Sequence, residues 1–216
     1  EYVIVPYRIK GVVVRSYKEM FKGSVVGGSS IKGVASYSSE VLDFTQCFMY
    51  AGTTGQNLEL KYLNTSGAYV FTEMFRECRA GTLDLSNFNT SSVYLMNNTF
   101  YSCKATTIDV TGWDTSKVST FYYTFYNCEA QTIDGLGDWT NENATDYYYM
   151  FSSASKLLVL DLAGFTTPLA GTFARMLEST TSVLEAYAKT QEDANWFNSA
   201  SLYKPSSYTF TVKEEV

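Results

Sequence analysis

The chain has 216 residues, of which 18% are charged and 16% are aromatic, with 18 tyrosines and no histidine. The net charge of −6 argues against nucleic-acid binding, and the lack of histidine excludes His-based triads and the commonest metal ligand. No apolar run approaches the ~20 residues of a membrane-spanning helix, so no direct membrane insertion is expected. Because the chain begins at Glu1 rather than Met, we expect a processed product or a part of a longer protein.

The sequence predicts one domain with three parts in chain order. Residues 1–13 predict an N-terminal cap with a strand, and residues 14–188 predict a repeat array. The Gly- and Ser-rich residues 23–33 predict one expanded loop near the start of that array. Residues 189–216 predict a C-terminal cap with an amphipathic helix over Gln191–Ala200 and an edge strand over Tyr208–Val212.

The repeat unit contains two blocks with different periods. In the first block, Leu83–Ser91 matches Ile108–Ser116 in character 25 residues later, and its Leu-Asp-Leu alternation predicts a short strand. The second block is apolar at i, i+3, i+6 or i+7, and i+10, which predicts a three-turn helix. Thr90 and Thr115 precede this block, where a helix favours an N-cap hydroxyl. The anchor residues of the second block are Phe21, Phe48, Phe75, Phe100, Phe125, Phe151 and Met176.

One strand and one helix per 25 to 27 residues predict an α/β fold, a right-handed leucine-rich-repeat solenoid of seven to eight coils. Its strands should form one long parallel sheet, with the helices on the opposite flank.

The repeats resemble a known family over residues 30–180. The pattern Leu-Asp-Leu-Ser-Asn-Phe-Asn-Thr-Ser…Val…Met…Thr-Phe-Tyr-Ser-Cys, beginning at Leu83, is similar to the BspA-like leucine-rich repeats of bacterial surface proteins. This chain departs from them where Ala80, Ala105 and Ala130 follow the cysteine column without the usual Leu. The resemblance implies adhesion or binding at a cell surface or in a virion appendage. It implies no active-site residues.

Three cysteines, Cys78, Cys103 and Cys128, occupy one column at 25-residue spacing. We interpret them as free buried thiols, because small residues fill the same slot in other repeats. A metal site and disulfides between neighbouring coils are the alternatives, although three column members cannot all pair. Cys47 lies off this column.

Acidic residues form a second column at the exposed centre of each predicted strand. We favour a structural role, in which each carboxylate accepts hydrogen bonds from its own or the next coil. A file of bound cations and a docking stripe for a basic ligand are the alternatives. The column consists of Glu59, Asp84, Asp109, Asp134, Asp161 and Glu185.

Tyrosines occupy outward slots of the second block in neighbouring repeats. Tyrosine is large, stiff and amphipathic, so an exposed cluster often marks a protein, glycan or subunit interface. The alternative is packing between adjacent coils with the hydroxyls in water. The candidate interface residues are Tyr101, Tyr122, Tyr123, Tyr126, Tyr148 and Tyr149.

Together these features predict a non-enzymatic extracellular recognition or adhesion module that binds a protein or a glycan on a cell surface. The alternative is a spacer or decoration domain of a larger surface or virion assembly, with the tyrosines buried against neighbouring subunits. No catalytic, metal or cofactor site is predicted.

Overall fold

The computed structural model describes residues 2–6, 8–10, 12–24, 33–167, 169–199 and 202–214. Most of the predicted expanded loop (residues 25–32) and the last residue of the predicted capping helix, Ala200, lie outside the described residues.

Short strands are the main regular secondary structure of the described residues. The strands are β1 (Tyr2–Val5), β2 (Arg8–Ile9), β3 (Val12–Val13), β4 (Gly33–Ser36), β5 (Glu59–Leu63), β6 (Thr82–Asp84), β7 (Thr107–Asp109), β8 (Thr132–Asp134), β9 (Val159–Asp161), β10 (Glu185–Ala188) and β11 (Phe210–Val212). They form three parallel sheets with the strand orders β1-β4-β5, β6-β7-β8 and β9-β10-β11, while β2 and β3 form an antiparallel pair. A 3₁₀ turn (Leu136–Asp138) follows β8, and the described residues contain one α-helix, α1 (Gln191–Ser199).

A second parallel ladder runs along the other side of the coils. Single bridges connect seven stacked positions, one in each coil, and with the strands they define a parallel β-solenoid of about seven turns. The bridged positions are Ser16, Asp43, Val70, Leu95, Thr120, Asp146 and Thr172.

The structure does not confirm the helix predicted in every coil. The second block consists of tight turns. Its backbone N–H groups donate either to a carbonyl of the next coil or to the carbonyl three residues earlier in the same coil. The N–H of Phe100 donates to the carbonyl of Thr124 in the next coil (2.8 Å), whereas the N–H of Tyr101 donates back to the carbonyl of Asn98 (3.1 Å). An α-helix needs negative φ at every residue, but these blocks contain residues with φ of 50–61°. Such residues are Glu19, Gln46, Tyr50, Glu73, Glu77, Asn98, Ser102, Tyr123, Asn127, Tyr149, Ser153, Arg175 and Ser179.

Coil spacing explains why turns replace helices. Strands of neighbouring coils lie about 4.8 Å apart, whereas packed helix axes need about 8–10 Å. A block of turns that bonds directly to the next coil keeps both flanks at the strand spacing.

The core is built from aromatic columns that follow this spacing. Successive anchor phenylalanines stack face to face with ring centroids 5.0–5.5 Å apart and interplanar angles of 3–7°. A second column stacks Phe88, Trp113 and Trp139 at 6.1 and 5.8 Å. The predicted spacing of the anchors therefore specifies a continuous buried column.

The last coil is shifted by one residue from the predicted register. The N–H of Phe151 donates to the carbonyl of Met176, just as the N–H of Phe125 donates to that of Met150. The anchor of the last coil is therefore Leu177 and not Met176, and Leu177 is fully buried. Met176 is also buried, so apolar character alone does not distinguish the two.

Both ends of the solenoid carry additional elements. At the N-terminus, β1 pairs with β4, and the β2–β3 hairpin follows it. At the C-terminus, α1 and β11 occupy the positions where the sequence predicted a capping helix and an edge strand, and β11 pairs in parallel with β10.

Candidate functional site

The structure brings the six candidate tyrosines together on the turn side of the solenoid. We call this cluster the tyrosine surface. Its rings contact one another in a continuous network with centroid distances of 4.3–6.1 Å. The members are Tyr101, Tyr122, Tyr123, Tyr126, Tyr148 and Tyr149.

The repeat register positions these rings. Tyr101 stacks on Tyr126 at 5.0 Å, and Tyr123 stacks on Tyr149 at 4.9 Å. Tyr122 is exposed, whereas the other members of the surface are half-buried because their neighbours cover part of each ring. Packing between adjacent coils, which was the alternative interpretation, therefore buries part of the surface of these rings. The rest of the ring surface remains exposed to solvent.

Two arginines extend the tyrosine surface at opposite ends. The guanidinium of Arg76 lies 4.6 Å from the ring centroid of Tyr101. Arg175 lies 5.8 Å from the ring centroid of Tyr149 and 5.1 Å from that of Tyr203. These distances fit cation–π contacts, in which the electronegative ring face attracts the guanidinium charge.

Each arginine is also held by acidic side chains of its own turn. Arg76 contacts Glu73 at 3.0 Å and Glu77 at 3.7 Å, and Arg175 contacts Glu178 at 3.2 Å. Neither arginine was predicted from the sequence. Arg76 occupies the same position in its repeat as Tyr101 does in the next repeat. This equivalence could have identified Arg76 as part of the surface.

Two hydroxyl groups of the tyrosine surface, those of Tyr123 and Tyr148, resist ionisation. Burial, followed by the neighbouring hydroxyls of Tyr122 and Tyr149, raises the pKa of Tyr123 to about 12. A hydrogen bond with Tyr149 raises the pKa of Tyr148. These hydroxyls are therefore neutral near pH 7, where they donate as well as accept hydrogen bonds.

The acidic column is shorter than predicted. Asp84, Asp109 and Asp134 are direct register neighbours on β6, β7 and β8. On β10, however, Tyr187 lies opposite Asp161, and Glu185 lies opposite Val159. Glu185 is therefore outside the column. Positions two residues apart in a strand share a face, so alternation alone does not choose between 185 and 187.

Hydrogen bonds within each coil hold several of these carboxylates. Asp84 accepts a hydrogen bond from the N–H of Ser86 (3.2 Å), and Asp109 accepts one from the N–H of Thr111 (2.9 Å). Glu59, at the start of the column, and Asp161 have additional or different partners. Glu59 accepts a hydrogen bond from the hydroxyl of Tyr2, and Asp161 accepts bonds from the N–H of Ala163 (3.0 Å) and from Lys213 (2.5 Å). The bonds from backbone N–H groups two residues further on form Asx-type turns, and the bonds from Tyr2 and Lys213 connect side chains. Both kinds of bond stabilise the fold.

The four cysteines are free thiols and are buried. Hydrogen bonds with Cys128 and Cys78, together with burial, raise the pKa of Cys103 well above its ordinary value. Among the described residues, no group of three or more Cys, Asp or Glu side chains is arranged to hold a metal ion.

A groove of about 760 Å³ lies beside the cysteine column and is lined by charged residues that include Glu77, Arg79, Lys104 and Glu129. Glu129 contacts Lys104 at 2.7 Å and Lys156 at 2.5 Å. The hydrogen bonds from these lysines lower the pKa of Glu129. Three of these charges are thus paired within the chain, because Glu77 also contacts Arg76 at 3.7 Å.

A family model matches most of the chain. The model described as "Mycoplasma protein of unknown function, DUF285" matches three overlapping ranges, residues 15–136, 43–165 and 96–205. No curated protein and no solved structure matches the chain. In the part of the chain that the structure describes, no helix is long and apolar enough to cross a membrane.

Proposed function

The chain belongs to the Mycoplasma protein family of unknown function DUF285, and we propose that it is a non-enzymatic recognition module that binds a protein partner through the tyrosine surface. The observation that carries the proposal is the continuous network of six tyrosine rings, bounded by Arg76 and Arg175. Tyrosine and arginine, together with tryptophan, are enriched at energetic hot spots of protein interfaces.

The geometry supports a preformed binding surface. Each ring is fixed by its neighbours in the adjacent coil, so little side-chain entropy is lost when a partner binds. Neutral hydroxyls surround the apolar ring faces, which matches the mixed character of interface cores.

We propose an extracellular location, at the surface of a cell or a virion. The support is the resemblance of the repeats to BspA-like leucine-rich repeats of surface and adhesion proteins. We also infer that the coils are a variant of those repeats, in which turns take the place that a helix has in the predicted unit.

The test is retention of the labelled chain on host cells before and after the double substitution Tyr123→Asn and Tyr149→Asn. Each hot-spot ring contributes about 2 kcal/mol, or about thirtyfold in affinity, so the loss of both should weaken binding by up to about a thousandfold. Tyr37→Asn is the matched control, since Tyr37 is 73% exposed and lies outside the tyrosine surface.

Treatment of the cells identifies the class of partner. Binding to a protein should disappear after trypsin treatment and survive periodate oxidation of glycans. The reverse pattern would assign the tyrosine surface to a glycan, and equal binding by the double variant would refute the proposed surface.

The structural alternative rests on the same observation, because a tyrosine-rich surface also suits contacts between subunits. Sedimentation velocity separates the two functions. A symmetric oligomer or filament that the double substitution dissociates would favour a spacer or decoration domain, whereas a monomer that binds cells favours recognition.

A further inference from the structure

A separate pair of tyrosines lies at another corner of the coils. Tyr69 and Tyr94 are 49% and 42% exposed, and their rings stack with centroids 5.6 Å apart and an interplanar angle of 13°. Neither ring has a contact with the tyrosine surface among the described ring pairs. Neither residue was predicted as a site residue from the sequence.

The stack stops at the next coil. The N–H of Tyr94 donates to the carbonyl of Tyr69, and the N–H of Ser119 donates to the carbonyl of Tyr94, both at 3.0 Å. Ser119 therefore holds the next position of the same column, and Thr145 follows it at 3.1 Å. Two small side chains at these positions leave space where a third ring would otherwise continue the stack.

A depression of about 430 Å³ occupies this region. Its volume lies within the range of small-molecule sites, about 300–1,000 Å³. The lining residues are Tyr69, Ser92, Tyr94, Lys117, Ser119 and Asn143.

Among the described residues, the lining combines two tyrosines with polar groups and one cation, Lys117. Lys117 donates one hydrogen bond to the carbonyl of Ser91 (2.7 Å), and Asn143 donates one to the carbonyl of Ser116 (2.6 Å), so both side chains are oriented by the backbone. An ammonium has three donors, which leaves Lys117 with two more. No Asp or Glu lines the depression among the described residues, although the chain carries a net charge of −6.

We propose that this depression binds a six-membered sugar ring that carries a carboxylate, as in a uronic acid. The C–H face of the ring would lie on Tyr94, because the face of an aromatic ring is electronegative and attracts polarised C–H groups. The carboxylate would bind Lys117, and the ring hydroxyls would bond to Ser92, Ser119 and Asn143. This site is distinct from the tyrosine surface and does not depend on the function proposed for it.

Saturation-transfer NMR with glucuronate, glucose and acetate as probes tests the proposal. We expect glucuronate to bind with a dissociation constant on the order of millimolar, at least about fivefold tighter than glucose, with no saturation transfer to acetate. Three results would each overturn the proposal: glucose that binds as tightly as glucuronate, acetate that binds as tightly as glucuronate, or no saturation transfer to glucuronate at about 20 mM.

Two substitutions and a matched control locate the site. Ser119→Tyr should extend the stack over Tyr94 and reduce glucuronate binding at least about tenfold, whereas Lys117→Gln should reduce it to the level of glucose. Leu42→Tyr is the control, because the N–H of Tyr69 donates to the carbonyl of Leu42 (2.8 Å), so the added ring lies at the other end of the stack.

Binding should be unchanged in Leu42→Tyr and also in Tyr123→Asn, which alters only the tyrosine surface. If Ser119→Tyr melts like the wild type and still binds glucuronate with unchanged affinity, the depression is not the site.

Discussion

At the scale of single residues, Tyr123 and Tyr149 adopt left-handed backbone conformations, with φ of 55° and 57°. This region costs most residues roughly 1–2 kcal/mol, whereas Asn tolerates it well. Asn98, which occupies the same slot one coil earlier, has φ of 56°. The tyrosines therefore sit on a backbone better suited to Asn, and the contacts among the rings offset the strain.

This backbone predicts different stabilities for two small polar substitutions of similar size. Tyr123→Asn and Tyr123→Thr remove the same ring contacts, but β-branched Thr is strongly disfavoured at positive φ. Urea unfolding should show Tyr123→Thr to be less stable than Tyr123→Asn by about 1 kcal/mol or more. Equal stabilities would mean that the turn relaxes to negative φ in the variants.

The raised pKa of Tyr123 also predicts how stability depends on alkaline pH. The ordinary tyrosine pKa is 10.0, and burial raises that of Tyr123 to about 12 in the folded chain. The stabilisation linked to its proton is fully present below the unfolded pKa and is lost as pH rises through the folded value.

Stability should therefore fall between pH 10 and 12, and Tyr123→Phe should reduce this fall because no proton is left to lose. Carbon NMR of the tyrosine rings provides the direct measurement, since one resonance that titrates near pH 12 should vanish in the Phe variant. A resonance of Tyr123 that titrates near pH 10 would contradict the expected environment.

At the scale of elements, α1 is secured by a reciprocal cap. The N–H of Asp193 donates to the hydroxyl oxygen of Thr190 (3.1 Å), and that hydroxyl donates to the Asp193 carboxylate (2.6 Å). The same carboxylate accepts bonds from the N–H (3.2 Å) and the hydroxyl (2.7 Å) of Thr167 in the preceding coil. One side chain thus caps the helix and fastens it to the solenoid.

Asp193 predicts an acid-sensitive C-terminal cap. Burial alone would raise the pKa of Asp193, but the hydrogen bonds from Thr190 and Thr167 outweigh it and lower the pKa below 3.8. Its stabilisation is present above the unfolded pKa and is lost as pH falls through the lower folded value. Asp193→Asn should cost about 1 kcal/mol near pH 7 and should flatten the loss of stability in acid.

The measurement is urea unfolding of both proteins at several pH values between 2 and 7, with Glu192→Gln as the control. Glu192 is exposed and precedes Asp193 in the same helix turn. Parallel pH profiles for the wild type and Asp193→Asn would rule out this linkage.

The second block forms turns although its apolar spacing predicted a helix. Apolar spacings of three and four residues fit a helix, and they also fit a chain of i→i+3 turns that buries the same side chains. Runs such as Asn97-Asn98-Thr99 and Tyr122-Tyr123-Thr124 are poor helix formers, and this propensity was the available signal against a helix. The strands and the aromatic columns were predictable, because alternation and exact repeat spacing specify them.

The sequence predicted which tyrosines form the site better than it predicted the contacts that they make. The shared slots of Tyr123 and Tyr149 indicated stacking, since equivalent positions in adjacent coils lie about 5 Å apart. The place of Arg175 beside Tyr149 depends on the one-residue shift that makes Leu177 the last anchor. A buried Met176 next to Leu177 hides that shift from any pattern of apolar residues.

At the scale of the whole molecule, the solenoid is close to one-dimensional, because each coil contacts mainly its two neighbours. Stability in such an array is approximately a sum over coils and their interfaces. The anchor column carries much of this coupling, since each interior phenylalanine stacks on one ring above and one below.

The position of a ring in the column should therefore determine the effect of removing it. Phe100 is fully buried and contacts Phe75 at 5.5 Å, Phe125 at 5.0 Å and Trp113 at 6.1 Å. Phe100→Ala should cost about 3–5 kcal/mol, because the cavity cannot close while the coils keep their spacing.

Phe21 is the comparison, since it is 8% exposed and stacks only on Phe48, at 5.4 Å, among the described ring pairs. Phe21→Ala should cost about half as much as Phe100→Ala, because about half of the ring contacts are lost. Phe100→Ala should also uncouple the two halves of the array, so that hydrogen exchange resolves two unfolding units where the wild type shows one. Equal costs for the two variants, with a single cooperative unit in both, would show that the coils are coupled through the strand ladders and not through the aromatic column.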